Sequence, residues 1–271
     1  MMLSTQQASS LGRRRALERA MSMVALASMV LALAPFAAMV AHALATVRLS
    51  AAIVGACASA LLASLQLSLI TVAIALPVGV IAGMFIAELA GPQAVRWVVL
   101  GHDTLASIPP IVLGMFVYAV VVLPLGGFSL FAGAVALALS AIPTIALSSA
   151  ELLRLVSPSI REATLGLGLP RHRALFLVLL RAVLPGVASV VALTFARALG
   201  EVGALLFTAG SSRWLGASAP TAASPLPLEI FVAVQSPSAD SQGRAAAMTL
   251  TLLLLVSVSS GCSRLLRSVN R

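Results

Sequence analysis

Lysine is absent from this chain, and charge of either sign is scarce. All 17 basic residues are arginine, against 8 acidic ones, and charged residues make up 9% of the 271 positions. A soluble domain carries about 25% charged residues, so this chain cannot cover a water-facing surface. Without lysine no phosphate-binding loop of the form GxxxxGK[ST] can exist, which excludes ATP hydrolysis by the chain itself. The two cysteines, Cys57 and Cys262, form no CxxC pair and no disulfide framework. They read as small hydrophobes beside apolar runs. His42, His102 and His172 are scattered, and no HExxH, GxSxG or intraspan carboxylate pair occurs, so each histidine reads as an interfacial or loop residue. No metal or other cofactor is expected in this chain.

What the chain has instead is apolar length. Hydrophobic residues make up 60% of it, and the mean hydropathy is +1.08. The apolar runs reach about 20 residues, enough for helices across a hydrocarbon core of roughly 30 Å. The short alternation of a membrane barrel is missing. An all-α integral membrane protein follows. The net charge of +9 would suggest nucleic acid on a soluble protein, but here the arginines cluster at the ends of apolar runs, so orientation in the membrane explains them and nucleic acid is not an expected partner.

In order, residues 1–20 form a basic N-terminus with Arg13, Arg14, Arg15 and Arg19. Six spans are expected, at about 21–45, 56–87, 106–124, 129–150, 183–208 and 245–262, within a membrane domain of 21–265. The first is longer than the core of a signal peptide and reads as an uncleaved helix. Pro77 and Pro143 fall inside spans, where neighbouring helices can satisfy the freed carbonyls. The third opens with Ser107-Ile108-Pro109-Pro110, and Pro124-Leu125-Gly126-Gly127 marks a turn. Residues 151–181 form a basic, Gly- and Pro-punctuated loop. Residues 209–243 form a second loop with Pro220, Pro225, Pro227 and Pro237, in which the apolar stretch 225–234 is too short to cross and is expected to lie on the membrane surface. Six spans place both termini on one side. With that side cytoplasmic, 13 arginines fall inside and three (Arg48, Arg213, Arg244) outside, with Arg197 in the membrane. Loop 151–181 is then cytoplasmic and segment 209–243 external.

Two places carry chemistry. In the basic loop, Ser157 suits an N-cap, Pro158 a first helical position, and Gly168-Leu169-Pro170 a break. Glu162-Ala163-Thr164 puts an acid on a small-residue face of that short helix. It could fit a groove on a soluble partner, or the loop could simply rest on lipid phosphates. In the fifth span Arg197 and Glu201 stand four apart, expected on one helix face. Ionisable groups inside a membrane are costly and usually face a bundle interior or an aqueous cavity. The two could pair with each other, or Arg197 could offer its forked donors to a passing oxyanion while Glu201 holds it. Gly200 and Gly203 allow close helix contact or a local break. Ser107, Tyr118, Thr144, Ser148 and Ser149 could line the same cavity.

The run Glu162-Ala163-Thr164, then Gly168, then Leu184-Pro185-Gly186 resembles the EAA loop of bacterial ABC-importer permeases. Thr164 stands where a second alanine is usual, and Leu184-Pro185 comes one turn late. Residues 196–201 (ARALGE), 205–210 (LLFTAG), 107–116 (SIPPIVLGMF) and 226–231 (LPLEIF) resemble phosphate-type permeases, although Val202-Gly203-Ala204 replaces the usual Thr-Ala-Pro. The resemblance covers roughly residues 60–265. It implies a type I ABC importer permease fold, with Ser157–Arg173 docking on an ATPase through Glu162, Ala163, Thr164 and Gly168. The implied partners are a homologous second permease, two ATP-binding subunits that hold the ATP, and a periplasmic solute-binding protein reaching segment 209–243. The implied function is phosphate import across the bacterial inner membrane, with Arg197 and Glu201 on the substrate pathway. A permease for sulfate or molybdate, a six-span secondary transporter, and an intramembrane enzyme are the alternatives, the last disfavoured by the missing catalytic pair.

Overall fold

The computed structural model describes residues 2–47, 50–210, 224–236 and 238–269. Arg48, Arg213, Pro220, Pro237 and Arg271 lie outside the described residues. The chain divides into two units, residues 1–47 and 48–271. The first is a single helix, α1 (Met2–Thr46), with Pro35 in its interior and an apolar stretch, Ala20–Thr46, long enough to cross a membrane.

The second unit is built from helices alone among the described residues. α2 (Ala51–Met84) runs on into a π-helical turn, Phe85–Leu89. α3 (Pro92–Ser107) and α4 (Pro110–Val117) follow, then a π turn, Tyr118–Val122, and the short α5 (Leu123–Leu125). α6 spans Leu130–Arg154, α7 Pro158–Gly166 and α8 Arg171–Ala174. A third π turn (Leu175–Leu179) joins α8 to α9 (Leu180–Gly200), making one continuous helix whose membrane-length stretch is His172–Gly200. A 3₁₀ turn (Leu205–Phe207), α10 (Leu226–Val234) and α11 (Ala239–Val269) complete it. Across both units, five helices are long and apolar enough to span a bilayer, or six if the bent pair 92–107 and 110–125 counts as one.

Local chemistry explains the starts and stops. Ser50 Oγ accepts from Ile53 N–H at 3.3 Å and Ser129 Oγ from Ala132 N–H at 3.1 Å, capping α2 and α6. The two prolines after Ser107 disfavour helical backbone at the residues before them. Ile108 and Pro109 are extended, with ψ of 125° and 137°, and the chain turns by 96° between the flanking helices.

The core is the seam between α2 and α6. Both helices present small residues there, which let two backbones approach closely where lipid gives little hydrophobic drive. A Cβ added to Gly79 would sit 2.7 Å from Ile145 Cβ, and one added to Gly83 would sit 2.6 Å from the Ala146 carbonyl oxygen. Ala75 of α2 and Ala134, Ala138 and Ala150 of α6 are buried alongside. α9 packs on this pair through Val183 and Val187. At the far end, Ser129 N–H donates to the Thr208 carbonyl at 3.1 Å, and Leu226 N–H donates to Ser64 Oγ at 2.7 Å.

Three sequence expectations change. The stretch 225–234 does not lie on a surface: Leu226 and Leu228 are fully buried, and Val232 and Ala233 nearly so. A helix this apolar, with Glu229 as its one ionisable residue, packs among others rather than at an interface. The fifth helix begins at Arg171, inside the expected loop 151–181, since Pro170 suits the entry to a helix rather than its interior. It also ends at Gly200, not 208, because Glu201 is extended (φ −80°, ψ 127°).

The seam gives a direct test. Gly83→Ala should cost about 1–3 kcal/mol from overpacking and lower the thermal unfolding temperature in detergent. Gly55→Ala on the same helix, where an added Cβ meets nothing within 4 Å, should lower it little or not at all.

Candidate functional site

α6 and α9 leave a cavity between them, floored by α2, with a volume of about 180 Å³. Its polar wall consists of Thr71 from α2, Ser140, Thr144 and Ser148 from α6, and Thr194, Arg197 and Glu201 from α9 and its end. The three α6 hydroxyls stand four residues apart, so one helix face carries them all. Thr71, Ser140 and Thr194 return their hydroxyls to their own helix, to the carbonyls of Leu67, Leu137 and Val190, at 2.8–2.9 Å. Among the described residues Thr144 and Ser148 have no such bond, and their hydroxyls remain available to whatever fills the cavity.

Arg197 sits in the last turn of α9, where a cation is favoured by the helix dipole. It is exposed, and no acidic group among the described residues lies within 4.0 Å of it. Glu201 lines the same cavity, but from the extended residue that follows the helix. The expected sharing of one helix face is therefore corrected: Gly200 ends the helix one residue too early. The chain then turns so that Gly203 lies 3.4–3.5 Å, by its missing Cβ, from Ile111 N and Pro110 Cβ. Gly114 of α4 is tighter still, since a Cβ there would meet Ala204 O at 2.6 Å. The missing side chain at Gly114 lets the α9 exit lie against α4, whereas a Cβ at Gly203 would make only ordinary contact.

Of the hydroxyl-bearing residues expected at the site, Thr144 and Ser148 are there. Ser107 ends α3 and donates to the Asp103 carbonyl at 2.5 Å. The Tyr118 ring packs against Phe128, with centroids 6.0 Å apart. Ser149 is buried at the α2 seam, its Oγ without a hydrogen-bond partner. Thr71, Ser140 and Thr194 were missed, although the 140/144/148 spacing was a readable signal.

The second place is α7, the short helix of the basic loop. It begins at Pro158 and ends at Gly166, and Gly168 adopts φ +75°, a left-handed conformation that glycine takes without strain. Glu162 and Ala163 are exposed, whereas Thr164 is buried and donates to the Arg161 carbonyl at 2.7 Å. The helix thus offers one acid and one small residue outward.

α7 and every polar residue of the cavity except Thr71 lie within the segment, residues 75–268, that matches the family described as the binding-protein-dependent transport system inner membrane component. The chain belongs to that family. It is 38% identical over 176 residues to a phosphate transport system permease protein PstA of Xylella fastidiosa, covering 64% of this chain and 61% of that protein. It is 34% identical over 180 residues to the PstA of Yersinia pestis, covering 65% and 60%. The chain thus spans about three-fifths of the length of these curated relatives. Among solved structures, the inward-facing MetNI methionine ABC transporter superposes with a TM-score of 0.66 at 19% identity, covering 82% of this chain and all of that one. The fold is that of a type I ABC importer permease.

For a permease the α6–α9 cavity makes a checkable claim about access. In a background with Cys57 and Cys262 replaced, Thr144→Cys should react with a small charged methanethiosulfonate about tenfold or more faster than Ile145→Cys, because the thiolate needs water to form. Ile145 is fully buried against α2. Equal rates at the two positions would mean that the cavity is not open to water.

Proposed function

We propose that this chain is one of two permease subunits of a bacterial ABC importer for inorganic phosphate, in the inner membrane with both termini cytoplasmic. The observation that carries the reading is Arg197: an exposed guanidinium in an apolar helix, without an acidic partner within 4.0 Å among the described residues, on a wall of hydroxyls. A charge so placed is costly unless something polar meets it in the path. Forked donors beside Thr144 and Ser148 suit a tetrahedral oxyanion. The names of the similar phosphate permeases support the same anion.

The remaining parts follow. α7 is the coupling helix, docking on an ATP-binding subunit with Glu162, Ala163 and the turn at Gly168. ATP is held and hydrolysed there, not by this lysine-free chain. Two such subunits, a homologous second permease and a periplasmic solute-binding protein complete the assembly, the last reaching segment 209–243. ATP binding draws α7 with the motor, and the spans switch between inward- and outward-facing states whose affinities for the anion differ. A second reading, sulfate or molybdate as cargo, is favoured only by Val202-Gly203-Ala204 after Glu201, and the anion that stimulates ATP hydrolysis in the complex separates the two.

Two substitutions test the reading. Arg197→Gln should cut phosphate uptake about 10- to 100-fold, the worth of a charge-assisted hydrogen bond, while the ATPase still co-purifies. Glu162→Arg should abolish stoichiometric co-purification of the ATPase with the permease still inserted. A wild-type chain that never brings down an ATPase, even after crosslinking, would leave a six-span secondary transporter as the better account.

A further inference from the structure

Arg161 precedes the EAA run by one residue, and all three nitrogens of its guanidinium are engaged. Nη1 donates to Glu88 Oε1, Nη2 to the Leu153 carbonyl, and Nε to the Val156 carbonyl at 3.4 Å. The partners belong to different elements. Glu88 sits in the π turn that ends the α2 helix, Leu153 in the last turn of α6, and Val156 in the link to α7. The Leu153 carbonyl, in the last turn of α6, also accepts from Val156 N–H at 3.2 Å, and a cation at that helix end is favoured by the helix dipole. The pair is half-buried, with side-chain exposures of 26% and 22%, so water screens it less than a surface ion pair. Only arginine offers donors in three directions from one planar group. π turns recur at functional sites, and this one carries Glu88 across a sequence distance of 73 residues to meet α7.

We propose that Arg161 is a positioning residue that clasps α7 to the ends of α2 and α6, so that a displacement of α7 is transmitted to the two helices that wall and floor the cavity. This rests on the coupling role proposed for α7. Without the clasp, α7 loses its tie to α2 and is joined to the spans through the links at 155–157, where Val156 packs on the core, and 167–170. A motor could then move α7 without moving the cavity.

The test uses the full complex of both permeases, the ATPase and the solute-binding protein in proteoliposomes, and reads inorganic phosphate moved per ATP hydrolysed. Glu88→Gln and Arg161→Gln are each expected to lower that ratio about tenfold, the loss of one charged hydrogen bond, with the ATPase still bound. The double variant should be no worse than Arg161→Gln alone, because both changes remove the same contact. Arg161→Lys, which keeps the charge but not the fork, should fall between. A ratio unchanged in both single variants, uptake and hydrolysis falling in parallel, or multiplicative losses in the double variant would each overturn the clasp. Where Arg161→Gln fails to assemble, Glu88→Gln decides alone, since it leaves both carbonyl bonds of Arg161 in place. A wild-type complex without ATPase would sink the coupling role and the clasp together; a coupled wild type with unaffected variants would sink the clasp alone.

Discussion

Close approach of α2 and α6 is the contact on which the rest depends. Lipid is as apolar as leucine, so helices in a bilayer gain from packing rather than from escaping water. Gly79 and Gly83 remove the side chains that would hold the two backbones apart, and Ile145 and Ala146 fill the space. α9 then leans on a fixed pair rather than on two separate rods. The cavity exists because α9 meets α6 through hydroxyls and small residues on one stretch, Ser140 to Ser148, and through valines farther down. Its floor, Thr71, belongs to the same packed pair. Loosening the seam would therefore deform the cavity before it exposed any new surface.

Most hydroxyls in the spans among the described residues are returned to a backbone, Ser68 and Ser149 being buried without a partner, while a few stand where water or cargo reaches them. Thr71, Ser140, Ser189 and Thr194 each satisfy themselves on their own helix. Among the described residues Thr144, Ser148, Arg197 and Glu201 do not, and they gather in one cavity. That contrast marks a site better than any single residue does, because a serine alone in a span usually bonds its own carbonyl.

Much of this was legible in the residues. Apolar length gave the helical membrane class, and Pro158 with Gly168-Leu169-Pro170 bracketed α7 because proline and glycine act locally. The end of α9 was legible only as an option: Gly200 and Gly203 allow a break, but the chain stays apolar to residue 208, and hydropathy cannot see that Glu201 leaves the helix. Nor was the burial of α10, since an apolar stretch of ten residues reads the same on a surface as in a core. The Glu88–Arg161 pair was beyond reach, because nothing local in either sequence neighbourhood refers to the other. Tertiary contact decides these, and sequence pattern reports only on neighbours along the chain.

The geometry also says which helix is the shorter lever. Leu153, whose carbonyl Arg161 holds, is five residues beyond Ser148 on α6, or about 7.5 Å along the axis at 1.5 Å per residue. Glu88 is 17 residues beyond Thr71, about 25 Å along α2 if helical rise holds throughout. An α-helix of one and a half turns transmits a push with little bending, whereas the longer path on α2 passes Pro77 and a π turn, where helices yield. Under the proposed coupling role, motion of α7 therefore reaches the cavity first at Ser148 and Thr144, the two hydroxyls that hold no internal bond. Arg197 stands on α9, across the cavity, and a shift of α6 alone is enough to change the distance between the guanidinium and those hydroxyls. The affinity difference between the two states would then come from one wall moving against another, with no change needed within either helix.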